Sequence, residues 1–275
     1  MADVSLADIK ALRERLGTGM VDTKNALVEA DGDFEKAVEI LRLKGAKGNA
    51  KRADRSTSEG LIAAVESATA TTMIELACET DFVAKNDKFV ALGNVVLQAL
   101  ADSGAETLEA ALAVSFEGRT IAAIIDDEAA ILGEKVELRR VVRLPGDKFS
   151  LYLHRTNKDL PPQVGVVLSY TGDDTETARS IAQHISFADP QYLTREDIPA
   201  ADVDNERRIV EEISRGEGKP EAALPKIVEG RVNAYLKQVA LFEQDYARDN
   251  KLTISTVLAN AKLTVTGFAR FKVGA

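Results

Sequence analysis

The chain of 275 residues carries 44 Asp and Glu against 35 Lys and Arg, a formal net charge of −9. This argues against a general nucleic-acid binder, because phosphate neutralisation supplies most of such affinity. Length allows about two domains and a sizeable core, while the single cysteine, Cys78, excludes an intramolecular disulfide and fits a reducing cytosol.

Residues 1–6 lack a basic region followed by an apolar core, so no signal peptide is expected. The longest apolar stretches, such as residues 95–101, fall far short of the roughly 20 residues of a membrane span, and a cytoplasmic location is expected.

Residues 1–45 predict three short helices. Leu6, Ile9, Leu12 and Leu16 lie at helical spacing and stop at Gly17-Thr18-Gly19. A second helix over residues 20–30 turns Ala26 and Leu27 inward. Asp31-Gly32-Asp33 reads as a turn, and Asp33 caps a third helix carrying Phe34, Ala37, Val38 and Leu41. Such a bundle buries only a small core and suits a docking module. Residues 46–57 are expected to be a basic linker. Over residues 44–55, Lys44, Lys47, Lys51, Arg52 and Arg55 stand against Asp54, with Gly45 and Gly48 among them. An RNA-binding patch is the alternative, but no aromatics interleave for stacking.

From residue 58 the pattern changes. Residues 61–66 and 71–78 are strand-like and separated by a polar turn. A long helix is expected over residues 82–101, with Phe89, Leu92, Val96 and Leu100 on one face. Helical runs over 108–116 and 121–132 lead to a strand over 135–144. This first subdomain spans residues 58–144, and residues 145–275 repeat its order. Residues 149–154 and 164–170 form a hairpin-like pair, 175–187 a helix, and 263–273 a closing strand. The expected fold class is α+β, with two small antiparallel sheets, each covered by helices.

The second unit contains an insertion at about residues 203–245. Two charged helices, 203–214 and 220–245, flank a Gly-containing turn. Leu224, Val228, Val232, Tyr235, Val239 and Phe242 make a thin apolar seam. The pattern predicts a protruding antiparallel coiled-coil hairpin, which could dimerise, bind a partner or brace the core.

Chemistry-bearing motifs are sparse. Two histidines and one cysteine are too few for a Cys/His zinc site. No phosphate loop and no Gly-x-Ser-x-Gly elbow occurs. His184 reads as a satisfied helix residue, whereas His154 ends a strand just before a polar loop. The chain therefore reads as a binding protein, not an enzyme, with no cofactor and no metal. Its most informative junction is Glu79-Thr80-Asp81-Phe82-Val83-Ala84-Lys85-Asn86. Either Asp81 caps the helix with Phe82 packed beneath it, or the pair projects toward another protein.

Leu12-Arg13, Gly17-Thr18-Gly19-Met20-Val21-Asp22, Lys24 and Ala26-Leu27, followed by Thr80-Asp81-Phe82-Val83-Ala84-Lys85, resemble the bacterial translation elongation factor Ts family. Gly133-Glu134, Arg139-Arg140-Val141, Gly218-Lys219-Pro220, Val228-Glu229-Gly230-Arg231 and Val265-Thr266-Gly267-Phe268-Ala269-Arg270-Phe271 match in the same order. The resemblance implies a guanine-nucleotide exchange factor for elongation factor Tu, with a ubiquitin-associated-like N-terminal module. It places Arg13, Met20 and Val21 in that module's contact with the partner. Asp81 and Phe82 would be inserted near the partner's Mg²⁺ site, and Leu132 and His154 would touch the partner from the core. Val21, Thr23 and Asn25 stand where members often carry Met, Cys and Lys. The C-terminal helical module of many members is expected to be absent after Ala275. A homodimer, or a complex with two copies of each factor, is compatible with the hairpin. A ubiquitin-like or peptide-binding adaptor acting through residues 1–45 is the alternative function.

Overall fold

The computed structural model describes residues 4–275; residues 1–3, the start of the stretch read as lacking a signal peptide, lie outside it. Helix α1 (Leu6–Leu16) begins with a capping box, in which Ser5 Oγ accepts from the Asp8 N–H at 3.1 Å and Asp8 accepts from the Ser5 N–H. It ends at Gly17, whose φ of +69° suits a residue without Cβ. Helices α2 (Met20–Glu29) and α3 (Phe34–Arg52) complete the module, with Ile9, Leu12, Ala26, Leu27, Ala37 and Leu41 at its centre.

The expected basic linker is instead mostly helix, because α3 runs on to Arg52. Tertiary contact explains the difference. A Cβ at Gly45 would stand 2.7 Å from the Ala130 Cβ, so two helices approach there more closely than any side chain allows. Asn49 donates to the Asp126 carbonyl at 2.7 Å, and Arg42 faces Asp127 at 3.7 Å.

The first sheet begins with the hairpin β1 (Glu59–Glu66) and β2 (Ala70–Cys78). The single expected helix over 82–101 is two: α4 (Asp81–Ala84) and α5 (Asp87–Ser103). Asn86 divides them, its side chain accepting from the Lys88 N–H at 2.9 Å to cap the second. After α6 (Leu108–Ala113), residues Ser115–Phe116 leave the predicted helix to form β3, paired with β4 (Arg119–Thr120). Then α7 (Ile121–Leu132) leads to β5 (Val136–Pro145), which pairs with β2 on its free side.

The second unit repeats the arrangement. Strands β6 (Lys148–His154) and β7 (Val164–Thr171) form a hairpin, followed by α8 (Thr175–Ala188). The inserted helices α9 (Ala200–Gly216) and α10 (Leu224–Val239) pack through Val210, Val228 and Val232, with Val203 and Leu236 at the edge. Arg207 meets Glu229 and Arg231 meets Glu217 across the pair. The second helix stops at Val239, so Phe242 leaves the predicted seam and packs against the second unit's core. A small hairpin, β8 (Asp245–Tyr246) and β9 (Asp249–Thr253), and α11 (Ile254–Ala261) were not foreseen. The closing strand β10 (Thr264–Lys272) pairs with β7.

Both sheets are three-stranded and antiparallel, ordered β1-β2-β5 and β10-β7-β6, with the second strand of each hairpin central. Period-2 alternation then assigns faces. Leu61, Ile74, Leu76 and Leu138 face α5 and α7, whereas Val166, Leu168 and Tyr170 face α8 and α11. Ile62, Met73 and Val167 point the other way and meet between the sheets, joined by Val142, Leu151 and Phe271. Helices therefore cover only one face of each sheet; the other face packs on its counterpart.

Candidate functional site

The motif at the end of β2 is built from its backbone outward. Thr80, not Asp81, caps α4, its Oγ1 accepting from the Val83 N–H at 3.4 Å. Asp81 opens the helix and Val83 and Ala84 turn into the core, so of the two alternatives the cap at Asp81 with Phe82 packed beneath it does not form. Phe82 is 72% exposed.

What holds this turn is a cross-brace between two loops. The Thr80 N–H donates to Glu134 Oε2 at 3.0 Å, and Thr80 Oγ1 donates to Glu134 Oε1 at 2.6 Å. In return Glu79 Oε1 accepts from the Lys135 N–H at 2.6 Å, with the Arg55 guanidinium at 3.1 Å from Oε2. Burial pushes the Glu79 carboxyl up, but the Lys135 N–H and Arg55 outweigh it and hold it below the usual range. Charge-assisted bonds of this kind are the stronger ones. Lys85 lies over the result, its Nζ 3.2 Å from Asp81 Oδ2 and 4.4 Å from the Phe82 ring centroid.

Leu132 is the last residue of α7, half-buried against the first core, two positions before Glu134. His154 ends β6 and is exposed, its Nδ1 3.1 Å from the Tyr152 hydroxyl. A cavity of about 360 Å³ lies beside it, lined by Ala63, Lys85, Val90, Leu153 and Leu160. The second unit's strand end thus borders the same hollow as the α4 turn. Arg13, Met20 and Val21 are exposed on the N-terminal module, grouped around the α1–α2 loop rather than at α4. That loop is seated on the core, since a Cβ at Gly17 would meet Lys88 Nζ at 2.8 Å and Ile131 at 3.3 Å.

Sequence reasoning missed Glu134, Glu79 and Lys85 as working parts of the site. The i,i+4 spacing of Asp81 and Lys85 was a readable signal. No sequence pattern links Thr80 to a glutamate 54 positions away.

Other polar groups are occupied structurally. His184 is buried in α8, its Nδ1 accepting from the Ala247 N–H at 3.2 Å, so Nε2 carries the proton to Gln244 Oε1 at 2.8 Å. Burial pushes its pKa below the usual 6.5. The Cys78 thiol is buried and pushed upward by that burial, which leaves it little thiolate character. In the basic segment Lys44 pairs with Asp22, Arg55 with Glu79, and Arg52 with Asn49. No helix among the described residues is long and apolar enough to cross a membrane.

Comparisons with known proteins identify the family. The family described as "Elongation factor TS" matches residues 79–275. An elongation factor Ts of Leifsonia xyli is 72% identical over the full length of both chains. One of Clavibacter sepedonicus is 67% identical, and one of Tropheryma whipplei 56%, again over all of both chains. The turn that opens at Glu79 is also where the family match begins, and this chain belongs to the elongation factor Ts family.

Proposed function

We propose that the chain is the guanine-nucleotide exchange factor of elongation factor Tu. It binds the GDP-bound partner, disturbs its Mg²⁺ and phosphate site, and promotes GDP release so that GTP can bind during translation elongation. Family membership supports the partner and the exchange role. The observation that carries the mechanism is Phe82, an aromatic ring 72% exposed on a turn whose backbone is tied at Thr80 and buried at Val83. A nucleotide is held through its phosphates and metal, so a group that displaces either raises its off-rate. Asp81 and Phe82 form that intruding pair. Covering Phe82 completely contributes about 1.5–3 kcal/mol. The factor stabilises the nucleotide-free partner and leaves the overall equilibrium of exchange unchanged; the coupling is reciprocal.

Arg13, Met20 and Val21 make the second contact, from a ubiquitin-associated-like module formed by residues 1–45, and Leu132 and His154 extend the contact of the core. Residues 58–144 and 145–275 are the two core subdomains. The pair α9–α10 is a coiled-coil arm, able to join two complexes or to brace the second unit. The factor acts in the cytoplasm, without a cofactor and without catalysing a chemical step. Phe82→Ala is expected to slow partner GDP release about ten-fold or more at a fixed factor concentration, read with a fluorescent GDP in stopped flow. Release at the wild-type rate with the variant still bound would overturn the proposal. The exposed Met20 and Val21 also suit a peptide-binding adaptor. That second reading requires the main partner to be captured without the core but not without residues 1–45.

A further inference from the structure

The anchoring of α4 fixes its main chain and leaves the Phe82 ring to be explained. Hydrogen bonds from Thr80 to Glu134 and burial of Val83 and Ala84 set the Cα–Cβ direction of Phe82. They do not choose among the staggered χ1 wells of a side chain that is 72% exposed. Lys85 follows Asp81 by four positions and Phe82 by three, so one helical turn brings all three side chains to one face. Its ammonium reaches both, at 3.2 Å from the carboxylate and 4.4 Å from the ring centroid.

We infer that Lys85 is a positioning residue for nucleotide exchange, its ammonium holding the Asp81 carboxylate and the Phe82 ring in one arrangement before the partner arrives. The inference rests on the reading of Asp81 and Phe82 as the intruding pair. Either contact alone is weak at an exposed site. Here one ammonium makes both, so the long lysine side chain is ordered once for two restraints. Removing the clamp lowers the fraction of molecules whose turn is competent to insert. The apparent dissociation constant then rises by the inverse of that fraction, while the bound complex is unaffected.

The experiment measures partner GDP release against factor concentration for four variants of the full chain. Lys85→Met is expected to raise the half-saturating concentration about five-fold, with the maximal rate unchanged. Lys85→Arg keeps the charge and the stacking and should restore the wild-type curve. In a Phe82→Ala background, Lys85→Met should have a clearly smaller effect, because only the Asp81 restraint is left to remove. An undiminished effect in that background would mean that Lys85 meets the partner directly, and would overturn the inference. So would a wild-type curve for Lys85→Met while Phe82→Ala is impaired. If Phe82→Ala itself exchanges normally, the intruding-pair reading fails instead. Thermal melting checks the fold of each variant, and Lys85→Gln replaces Lys85→Met if the latter melts early.

Discussion

At the residue scale, Thr80 and Glu134 illustrate how a surface feature is held from beneath. Both Thr80 donors end on one carboxylate, in a partly buried setting. Glu134→Ala leaves the Thr80 N–H unsatisfied, and is expected to cost about 1–3 kcal/mol of stability. Urea unfolding would show this as a lower midpoint at unchanged slope. His184 gives a pH dependence of definite sign. Its folded pKa lies below 6.5, so the unfolded chain takes up its proton first as the solution is acidified. This contribution is therefore intact above 6.5 and is lost as pH falls through that value. A urea midpoint that drops between pH 8 and 5, and drops less in His184→Gln, is the expected result; equal drops would show that other groups dominate.

At the scale of elements, α3 shows a pattern overridden by its neighbour. Two glycines and a run of lysines read as linker, yet Gly45 is the place where α3 lies against Ala130 of α7. Two substitutions separate packing from propensity. At Gly48 a Cβ would meet Arg52 at an ordinary 3.4 Å, so Gly48→Ala should stabilise by up to about 1 kcal/mol. Gly45→Ala, with the same gain in propensity, should instead destabilise, because its Cβ would stand 2.7 Å from another Cβ. Melting temperatures moving in opposite directions would confirm that α3 is docked. A rise in both would mean that the helix is free of α7.

At the scale of the whole molecule, the two sheets are locked by a charge as well as by apolar packing. Glu75 is fully buried and accepts from Arg139 at 3.4 Å, from Arg140 at 2.5 Å and from the Gly274 N–H at 3.2 Å. Arg140 also donates to the Lys272 carbonyl and lies over the Phe271 ring. The end of the last strand is thereby tied to the middle of the first sheet. Removing one partner of a sealed ion pair costs 3–5 kcal/mol, but both arginines here reach solvent, so Glu75→Ala is expected to cost roughly 2–3 kcal/mol. A change below about 0.5 kcal/mol would show that the network is dispensable.

Local chemistry made much of this chain readable. Asp33 is a strong cap that marks a helix start, and two strand-like runs, 61–66 and 71–78, flanking a short polar turn read as a hairpin. Such signals act within a few residues. The Asp81–Phe82 junction was legible as special, because an aromatic beside an acid at a helix start has two competing uses. Which use prevails depends on contacts across the fold: Glu134 holding Thr80, Val83 filling the core, and the ring left in solvent. The division of one predicted helix into α4 and α5, the docking of Gly45 on Ala130, and the burial of Glu75 between the sheets have the same origin. Each depends on which distant surface arrives opposite a given face, and a period along the chain carries no record of that. Sequence by itself determined most of the longer elements, their order and the likeness to a family; tertiary structure decided where α3 and α4 end, which side chains are buried, which are braced, and which one points out.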